Sequence, residues 1–395
     1  MTPANGQHIA FTPGRLGAIE LRNRIIKTAT YEGMCPGGVP SGALIEHHRT
    51  LAQGGVGMTT VAYCAVSPSG RTFAEQMYMH DAIIPKLRAL TDAVHAAGAA
   101  VSLQLGHCGF FSKNTLSGRV PLGPSFTVNQ YGLMSGMPFA RAMSESHIAQ
   151  VIDDFGTAAA GAVDAGFDAV ELHLGHGYLL SQFISPATNR RRDRWGGSLD
   201  NRMRLPLAVV QRVRERVGPR GAILAKTNLR DGFRGGLQLD EAVGVARRLE
   251  AAGVDAIVLS GGFTSKTPFY LFRGGRPLKE MIEVEKSRLQ KIALRLFGAS
   301  AIKEYPFKEL FFLDDARAVR QAVRMPLVLL GGALSIDNLD TAMREGFEFV
   351  AMGRALIADP DLINRMQRGE VTRSRCTSCN KCVAEMDRDG VRCVL

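Results

Sequence analysis

Three side chains that can hold or transfer a proton, those of His173, His176 and Tyr178, follow a short apolar run in the segment ELHLGHGYLLSQFISPATNRRRDRWGG (171–197). Side chains alternate between the two faces of a strand, so His173 would share one face with Glu171, and the aliphatic residues around them would occupy the other. A buried imidazole needs a hydrogen-bond partner or a chemical purpose. The segment alone fits both a site of chemistry and a satisfied pair of interior histidines.

Polar residues also stand at the ends of other apolar runs. Gln104 and Lys226 end two of them, and the small residues Thr28, Ala29 and Thr30 end another. An amide, a cation and exposed backbone that converge on one mouth suit a flat ligand with several carbonyl and ring-nitrogen acceptors. An isoalloxazine ring is such a ligand.

Glycines precede two predicted helices near the C-terminal end of the chain. LLGGALS carries Gly331 and Gly332, and AMGRALIADPDL carries Gly353 and Arg354. Backbone amides at helix starts bind anions, and arginine pairs with phosphate in a fork geometry. These residues therefore predict a phosphate site.

Eight short β-rich runs, separated by amphipathic stretches, must position these residues. Several of the runs follow a helix tail that ends in glycine, as in HAAG, DAGFD, EAAGVD and REGFE. No G-x-G-x-x-G turn follows the first run, which argues against a doubly wound open sheet. The pattern predicts a single α/β domain, a (β/α)8 TIM barrel, in which the phosphate site follows strands seven and eight. The predicted strands span residues 24–30, 56–62, 99–105, 168–174, 222–227, 255–260, 326–331 and 347–352.

Two segments exceed the simple repeat. Residues 261–325, after strand six, are too long for one helix, and RGGRPLKEMIEVEKSRLQKIALRLFG within them predicts a helical insertion on the active-site side. We expect the barrel over residues 1–365 and a cysteine-containing extension over residues 366–395 that packs on it.

The composition is that of a globular protein, with 46% hydrophobic and 22% charged residues among 395. No secretory signal or bilayer-spanning stretch occurs, so we expect a cytoplasmic protein with no membrane partner. The net charge of +11 comes from basic residues spread over the chain without a nucleic-acid motif. It favours phosphorylated small molecules over nucleic acid as partners. Nothing in the sequence decides between a monomer and a homo-oligomer.

The longest distinctive segment is HGYLLSQFISPATNRRRDRWGGSLDNRMR (176–204), supported by GGALS and MGRALIADP. With it the chain resembles the old yellow enzyme family of FMN-dependent oxidoreductases, including the barrel domain of bacterial NADH:flavin oxidoreductases and 2,4-dienoyl-CoA reductases. The resemblance runs from 21–25 to 358–362. It implies an FMN-binding barrel in which NADH or NADPH reduces the flavin and an activated alkene, such as an enone, is then reduced in the same pocket.

The resemblance also implies roles for single residues. Lys226 would lie near N1 and O2 of the flavin, where a cation favours the anionic reduced ring. The residues that would contact the ring are Thr28, Ala29, Thr30, Tyr63, Gln104 and Lys226. Those that would bind the FMN phosphate are Gly331, Gly332, Gly353 and Arg354.

For the opening segment, the resemblance implies that His173 and His176 donate hydrogen bonds to the carbonyl oxygen of the substrate, which stabilises an enolate. Tyr178 would give a proton to the α-carbon; a structural tyrosine bonded to backbone is the competing interpretation. The chain departs from relatives at Tyr31, where threonine, cysteine or histidine is common, and at Phe110, where arginine is common.

Four of the seven cysteines lie in the last twenty residues with the spacing C-x2-C-x2-C-x10-C. The group resembles the iron–sulfur ligands of the dienoyl-CoA reductases, with one residue fewer in two gaps. Iron–sulfur, zinc and free thiols all stay open, and no metal site is assigned. Two alternative functions follow: a dienoyl-CoA reductase-like enzyme with a tail metal cluster, and a non-redox barrel lyase with Lys226 as Schiff-base amine. The cysteines are Cys376, Cys379, Cys382 and Cys393.

Overall fold

The computed structural model describes residues 8–117 and 120–395, and its centre is a closed barrel of eight parallel strands. Each of the eight predicted runs overlaps one barrel strand, and the strands pair in chain order until the last meets the first, which confirms the (β/α)8 fold. In chain order, the strands are β1 (Gly14–Leu16), β2 (Ile19–Leu21), β3 (Ile25–Lys27), β4 (Met58–Ala65), β5 (Ala100–Gly106), β6 (Leu122–Gly123), β7 (Thr127–Val128), β8 (Phe139–Ala142), β9 (Ala169–Leu174), β10 (Ala222–Asn228), β11 (Ala256–Ser260), β12 (Leu327–Leu330) and β13 (Phe349–Met352). The barrel consists of β3, β4, β5, β9, β10, β11, β12 and β13.

Helices cover the outside of the barrel. Several begin at a serine whose hydroxyl accepts from an amide of the first turn, as Ser144 does before α3 and Ser198 before α5. The helices are α1 (Gly42–Gln53), α2 (Ile84–Ala96), α3 (Glu145–Asp164), α4 (Leu179–Ile184), α5 (Leu199–Val217), α6 (Leu239–Ala251), α7 (Leu278–Val284), α8 (Arg288–Ala301), α9 (Leu313–Ala322), α10 (Ile336–Arg344), α11 (Arg354–Ala358), α12 (Leu362–Gln367) and α13 (Lys381–Glu385). None of these helices has the length and apolar character needed to cross a membrane.

Strand alternation divides the apolar side chains between two cores. In β9, Val170, Leu172 and Leu174 pack into the large core between strands and helices, whereas Ala169 joins the smaller core inside the barrel. Glu171 and His173 have the same parity as Ala169, so they point inward, as predicted.

A hairpin of β1 and β2 closes one end of the barrel and was not predicted from the sequence. Its two strands pair antiparallel, and Leu16 and Leu21 are fully buried in the core inside the barrel. The hairpin therefore seals the end opposite the active-site mouth.

The insertion after β11 contains the predicted extra helices, α7 and α8, ahead of α9. The C-terminal extension lies against both the insertion and the barrel loops. The amide of Gly275 donates to the carbonyl of Ser378, and the amide of Val391 donates to the carbonyl of Glu32 at 2.7 Å. The tail is thus part of the active-site side of the molecule.

Candidate active site

A cleft of about 630 Å³, including its open mouth, lies at the carboxyl ends of the barrel strands. Apolar side chains of the insertion, Leu271, Phe272 and Phe311, form one wall. Nine of the predicted site residues line the cleft: Thr28, Ala29, Thr30, His176, Lys226, Gly331, Gly332, Gly353 and Arg354. The other four, His173, Tyr178, Tyr63 and Gln104, join it through side-chain contacts.

The floor of the cleft holds a fixed cation. The ammonium of Lys226 lies 2.7 Å from the carboxylate of Glu171 and donates to the hydroxyl of Thr28 at 3.0 Å. The same carboxylate oxygen accepts from the amide of Gln104 at 2.7 Å. Gln104 therefore bonds a neighbouring side chain and reaches the cleft through Glu171. The sequence pattern placed Glu171 inward without assigning it this role.

The other end of the cleft is shaped by backbone. Gly331 and Gly332 take φ angles of 115° and 82°, which favour glycine, and a Cβ at Gly331 would lie 2.8 Å from the ring of Phe312. The guanidinium of Arg354 donates to the carbonyl of Arg273 and to the side chain of Asn380, which places it between the cleft and the tail.

These two ends fit an FMN molecule. A fixed ammonium suits the pyrimidine edge of the ring, and a glycine-lined backbone beside an arginine suits the phosphate. A Cβ at Gly353 would lie 3.2 Å from Thr28, so the backbone from β13 also runs close to the residues that end β3.

The two histidines are connected in series. Nε2 of His173 lies 2.9 Å from Nδ1 of His176, and Nε2 of His176 lies 2.7 Å from the hydroxyl of Ser260. Nδ1 of His173 is buried without a hydrogen-bond partner among the described residues. Burial lowers the pKa of His176 to about 3, and it lowers the pKa of His173 well below its ordinary value. Both rings are therefore neutral at neutral pH, and each carries one N–H.

The shape of the chain at His176 depends on Asn228. His176 has a φ of 58°, an uncommon value for a residue with a side chain, and its amide donates to Oδ1 of Asn228 at 3.0 Å. Nδ2 of Asn228 in turn donates to Asp231 and to the carbonyl of Gly262, both at 2.8 Å. Sequence reasoning missed Ser260 and Asn228, although both are polar residues at strand ends, like those that it singled out.

Tyr178 stacks on His173, with ring centroids 4.0 Å apart and planes at 29°. Its hydroxyl lies near that of Thr72, which is buried without a hydrogen-bond partner among the described residues. Burial raises the pKa of Tyr178 above its ordinary value. Tyr63 packs on Tyr178 at 4.9 Å, and its own hydroxyl donates to the carbonyl of Gly70. Gly106 makes room for this packing, because a Cβ there would lie 2.4 Å from the Tyr63 ring.

A lysine and aromatic rings surround the outer rim. Nζ of Lys113 lies 5.8 Å from the ring centre of Phe73 and 5.3 Å from that of Tyr131. The amide of Lys113 donates to the carbonyl of Thr72, whose hydroxyl lies near that of Tyr178. Tyr31 meets Phe73 edge-on at 5.4 Å, which places it on the rim as well. Phe110 is instead buried against Phe263.

The four tail cysteines line one small cavity behind Arg354. Burial raises the pKa of Cys382 to about 11, so it is a protonated thiol at neutral pH. Within residues 8–117 and 120–395, no group of three histidine, cysteine or acidic side chains is arranged to hold a metal ion.

Comparisons with known proteins show the family and the fold of the chain. Residues 10–263 match the NADH:flavin oxidoreductase / NADH oxidase family. The 4,4'-dithiodibutanoate disulfide reductase of Rhodococcus erythropolis is 46% identical over 389 residues, which are 98% of this chain and 94% of the relative. A metal reductase of Desulforamulus reducens is 33% identical over 376 residues, 94% of this chain but 51% of the relative. An old yellow enzyme homologue from Zymomonas mobilis has a TM-score of 0.72 at 23% identity, over 94% of this chain and 95% of its own, and shares the fold.

Proposed function

The chain belongs to the NADH:flavin oxidoreductase / NADH oxidase family, whose cofactor is FMN, and we propose that it reduces the activated C=C bond of α,β-unsaturated carbonyl compounds with NADH or NADPH. The observation that carries the proposal is the unpartnered Nδ1 of His173, buried beside the ring of Tyr178, in a ring bonded through Nε2 to His176, which lines the cleft. A hydrogen-bond donor and a proton donor side by side are what enone reduction requires of a protein.

Bound FMN supplies hydride exchange with a nicotinamide and with a substrate. Thr28, Ala29, Thr30 and Lys226 would hold its ring, and the phosphate would lie against the backbone of Gly331, Gly332 and Gly353 with Arg354. The ion pair of Lys226 with Glu171 fixes the ammonium, which also argues against the Schiff-base lyase.

The histidine series can present a donor in only one tautomeric arrangement. If the hydroxyl of Ser260 donates to Nε2 of His176, the single N–H of His176 is at Nδ1 and donates to His173. The proton of His173 then lies on Nδ1, free to donate to a substrate carbonyl. The reverse arrangement leaves Nδ1 of His173 as an acceptor, which would repel an enolate. We infer that Ser260 acts as the donor and that His176 fixes the position of the proton on His173.

Tyr178 completes the reduction on the substrate. As the β-carbon gains a hydride, the α-carbon needs a proton, and we propose that Tyr178 gives it. Burial raises the pKa of Tyr178, so the phenol is protonated at neutral pH and is reloaded from solvent after each turnover. The sum is one NAD(P)H and one proton consumed per alkene reduced.

The test is an anaerobic assay of the purified, FMN-loaded protein with NADH, NADPH and 2-cyclohexenone. We expect loss of the visible flavin absorbance with one or both nicotinamides, its return on addition of the enone, and one equivalent of cyclohexanone per nicotinamide. Flavin that is reduced by nicotinamide but not reoxidised by any enone would contradict the proposal.

Disulfide reduction is a second candidate, favoured by the 46% identical relative named for a disulfide with two carboxylate ends. Lys113 on the rim could pair with such a carboxylate, while Tyr178 could protonate the departing thiolate. One NAD(P)H and one proton would then yield two thiols. The rates at which one protein preparation reduces 2-cyclohexenone and 4,4'-dithiodibutanoate with NADH or NADPH should be compared.

A variant of the rim tests this second candidate. Lys113→Met should raise KM for the dicarboxylate disulfide about tenfold, and it should leave KM for the neutral dimethyl ester unchanged. Lys303→Met is a matched control, because Lys303 also lies over an aromatic ring, at 5.2 Å from the centre of Tyr305. Equal KM values for acid and ester in the wild type would remove the role of Lys113.

A further inference from the structure

Helix α8 of the insertion carries an apolar face that no described residue covers. Four large apolar side chains of this face are exposed: Leu289 (70%), Ile292 (51%), Leu296 (68%) and Phe297 (63%). Helical residues advance by about 100° each, so these four fall within an arc of about 140°. The opposite side of α8 packs on α7, where a Cβ at Gly298 would lie 2.6 Å from Leu278. The exposed arc is therefore an outward-facing surface, here called the α8 face.

The charged residues of α8 itself are all basic. Residues 286–303 contain five lysines and arginines and no aspartate or glutamate. Arg288, Lys291 and Arg295 follow one another at i, i+3 and i+7, so they line one flank of the apolar arc. Among the described residues, no carboxylate forms an ion pair with any of these three.

The exposed apolar side chains and the adjacent cations together distinguish between two surfaces that could cover α8, a second copy of the chain and a lipid bilayer. A second copy of the chain, brought face to face with its α8 antiparallel across a two-fold axis, would set three cations against three cations, in a protein with a net charge of +11. An anionic lipid surface satisfies both features at once, because the apolar side chains enter the acyl boundary while the cations meet phosphate groups. A helix that lies in the interface needs no bilayer-spanning length.

We propose that α8 docks the protein on the surface of an anionic lipid bilayer, with Leu289, Ile292, Leu296 and Phe297 inserted and Arg288, Lys291 and Arg295 against the headgroups. The inference is independent of the substrate. The α8 helix belongs to the same insertion as Leu271 and Phe272, which line the cleft.

Vesicle co-sedimentation of the FMN-loaded protein tests the proposal. We expect binding to phosphatidylcholine vesicles that contain one third phosphatidylglycerol, no binding to pure phosphatidylcholine, and at least tenfold weaker binding in about 0.5 M salt. Absence of binding to the anionic vesicles at low salt, or equal binding to both kinds, would overturn it.

Two variants separate the apolar and the cationic contributions. Leu296→Glu combined with Phe297→Glu should weaken binding at least tenfold, and neutralisation of Arg288, Lys291 and Arg295 to Gln should weaken it roughly a hundredfold. Leu116→Glu is the control, because Leu116 is 74% exposed outside α8, and it should bind as the wild type does. Retained flavin absorbance and an unchanged melting temperature show that each variant is folded.

Sedimentation velocity of the same proteins tests whether a second copy of the chain, instead of a lipid bilayer, covers the α8 face. The proposal predicts that Leu296→Glu with Phe297→Glu leaves the oligomeric state unchanged. A wild-type oligomer that this variant dissociates would make the α8 face a contact between copies of the chain and would overturn the lipid assignment.

Discussion

The floor of the cleft and its histidine wall hold polar groups in opposite ways. On the floor, the full charges of Lys226 and Glu171 are buried 2.7 Å apart and compensate each other. On the wall, burial removes charge, because it lowers the pKa of His176 to about 3 and raises that of Tyr178. The difference separates two tasks: a fixed cation where a cofactor ring gains negative charge, and neutral hydrogen-bond and proton donors where a substrate changes.

Removing one partner from the floor should have the largest effect. Lys226→Met would leave the carboxylate of Glu171 buried without its cation, so we expect a loss of about 3–5 kcal/mol in the free energy of unfolding, together with weaker FMN binding. Urea denaturation and flavin content measure both. Lys226→Met combined with Glu171→Leu should recover much of the stability but not the FMN affinity; a double variant as unstable as the single one would refute the compensation.

On the wall, loss of the proton donor should slow chemistry without unfolding the protein. Tyr178→Phe should reduce the rate of enone reduction by about a hundredfold, while FMN content and reduction by NADH are retained. The rate of enone reduction by the wild type should show a solvent isotope effect. The rate of flavin reduction by NADH, which needs no proton from Tyr178, should show none. An unaltered rate in the variant would make Tyr178 a packing residue.

Substitution of Ser260 should reduce the rate of enone reduction less than substitution of Tyr178. Ser260→Ala removes the group that holds the His176 proton on Nδ1, so kcat for enone reduction should fall about five- to tenfold. Nitrogen NMR of the two histidines should show mixed tautomers. Ser102→Ala is the control, because Ser102 is equally buried and bonds the hydroxyl of Thr60 at 2.8 Å in the barrel wall. A similar loss of kcat in both variants would indicate a merely structural effect.

The neutral histidines also predict how pH affects stability. The folded-state pKa of His176 is about 3, below the unfolded value of about 6.5. Its contribution is therefore complete above about pH 6.5 and is lost as the pH falls from there toward 3. Urea denaturation at pH 7 and pH 5 should show lower stability at pH 5, and His176→Gln should reduce that difference. A wild type more stable at pH 5 would contradict the assignment.

Much of the fold and part of the site follow from local patterns. Eight apolar runs with glycine-ended helices between them specify a barrel, and alternation in β9 places Glu171 and His173 inside it. The hairpin of β1 and β2 was missed because its short strands carry no distinctive period. The sequence also indicated which residues surround the cleft, since most of them stand directly at strand ends.

The bonds among site residues could not be predicted in the same way. Ser260 and Asn228 lie 84 and 52 residues from His176 in the chain, and only barrel closure and strand register bring them to it. The register that sets Lys226 beside His173 also brings Glu171 between Lys226 and Gln104. Gln104 therefore bonds a carboxylate that the local pattern did not assign to it.

The central claim is that His173 presents the donor that activates the substrate. Stopped-flow mixing of anaerobically reduced wild type and His173→Ala with 2-cyclohexenone tests it most directly. We expect equal FMN content in the two proteins, and reoxidation of the variant by the enone at least about a hundredfold slower than that of the wild type. Equal reoxidation rates in the two proteins would contradict it.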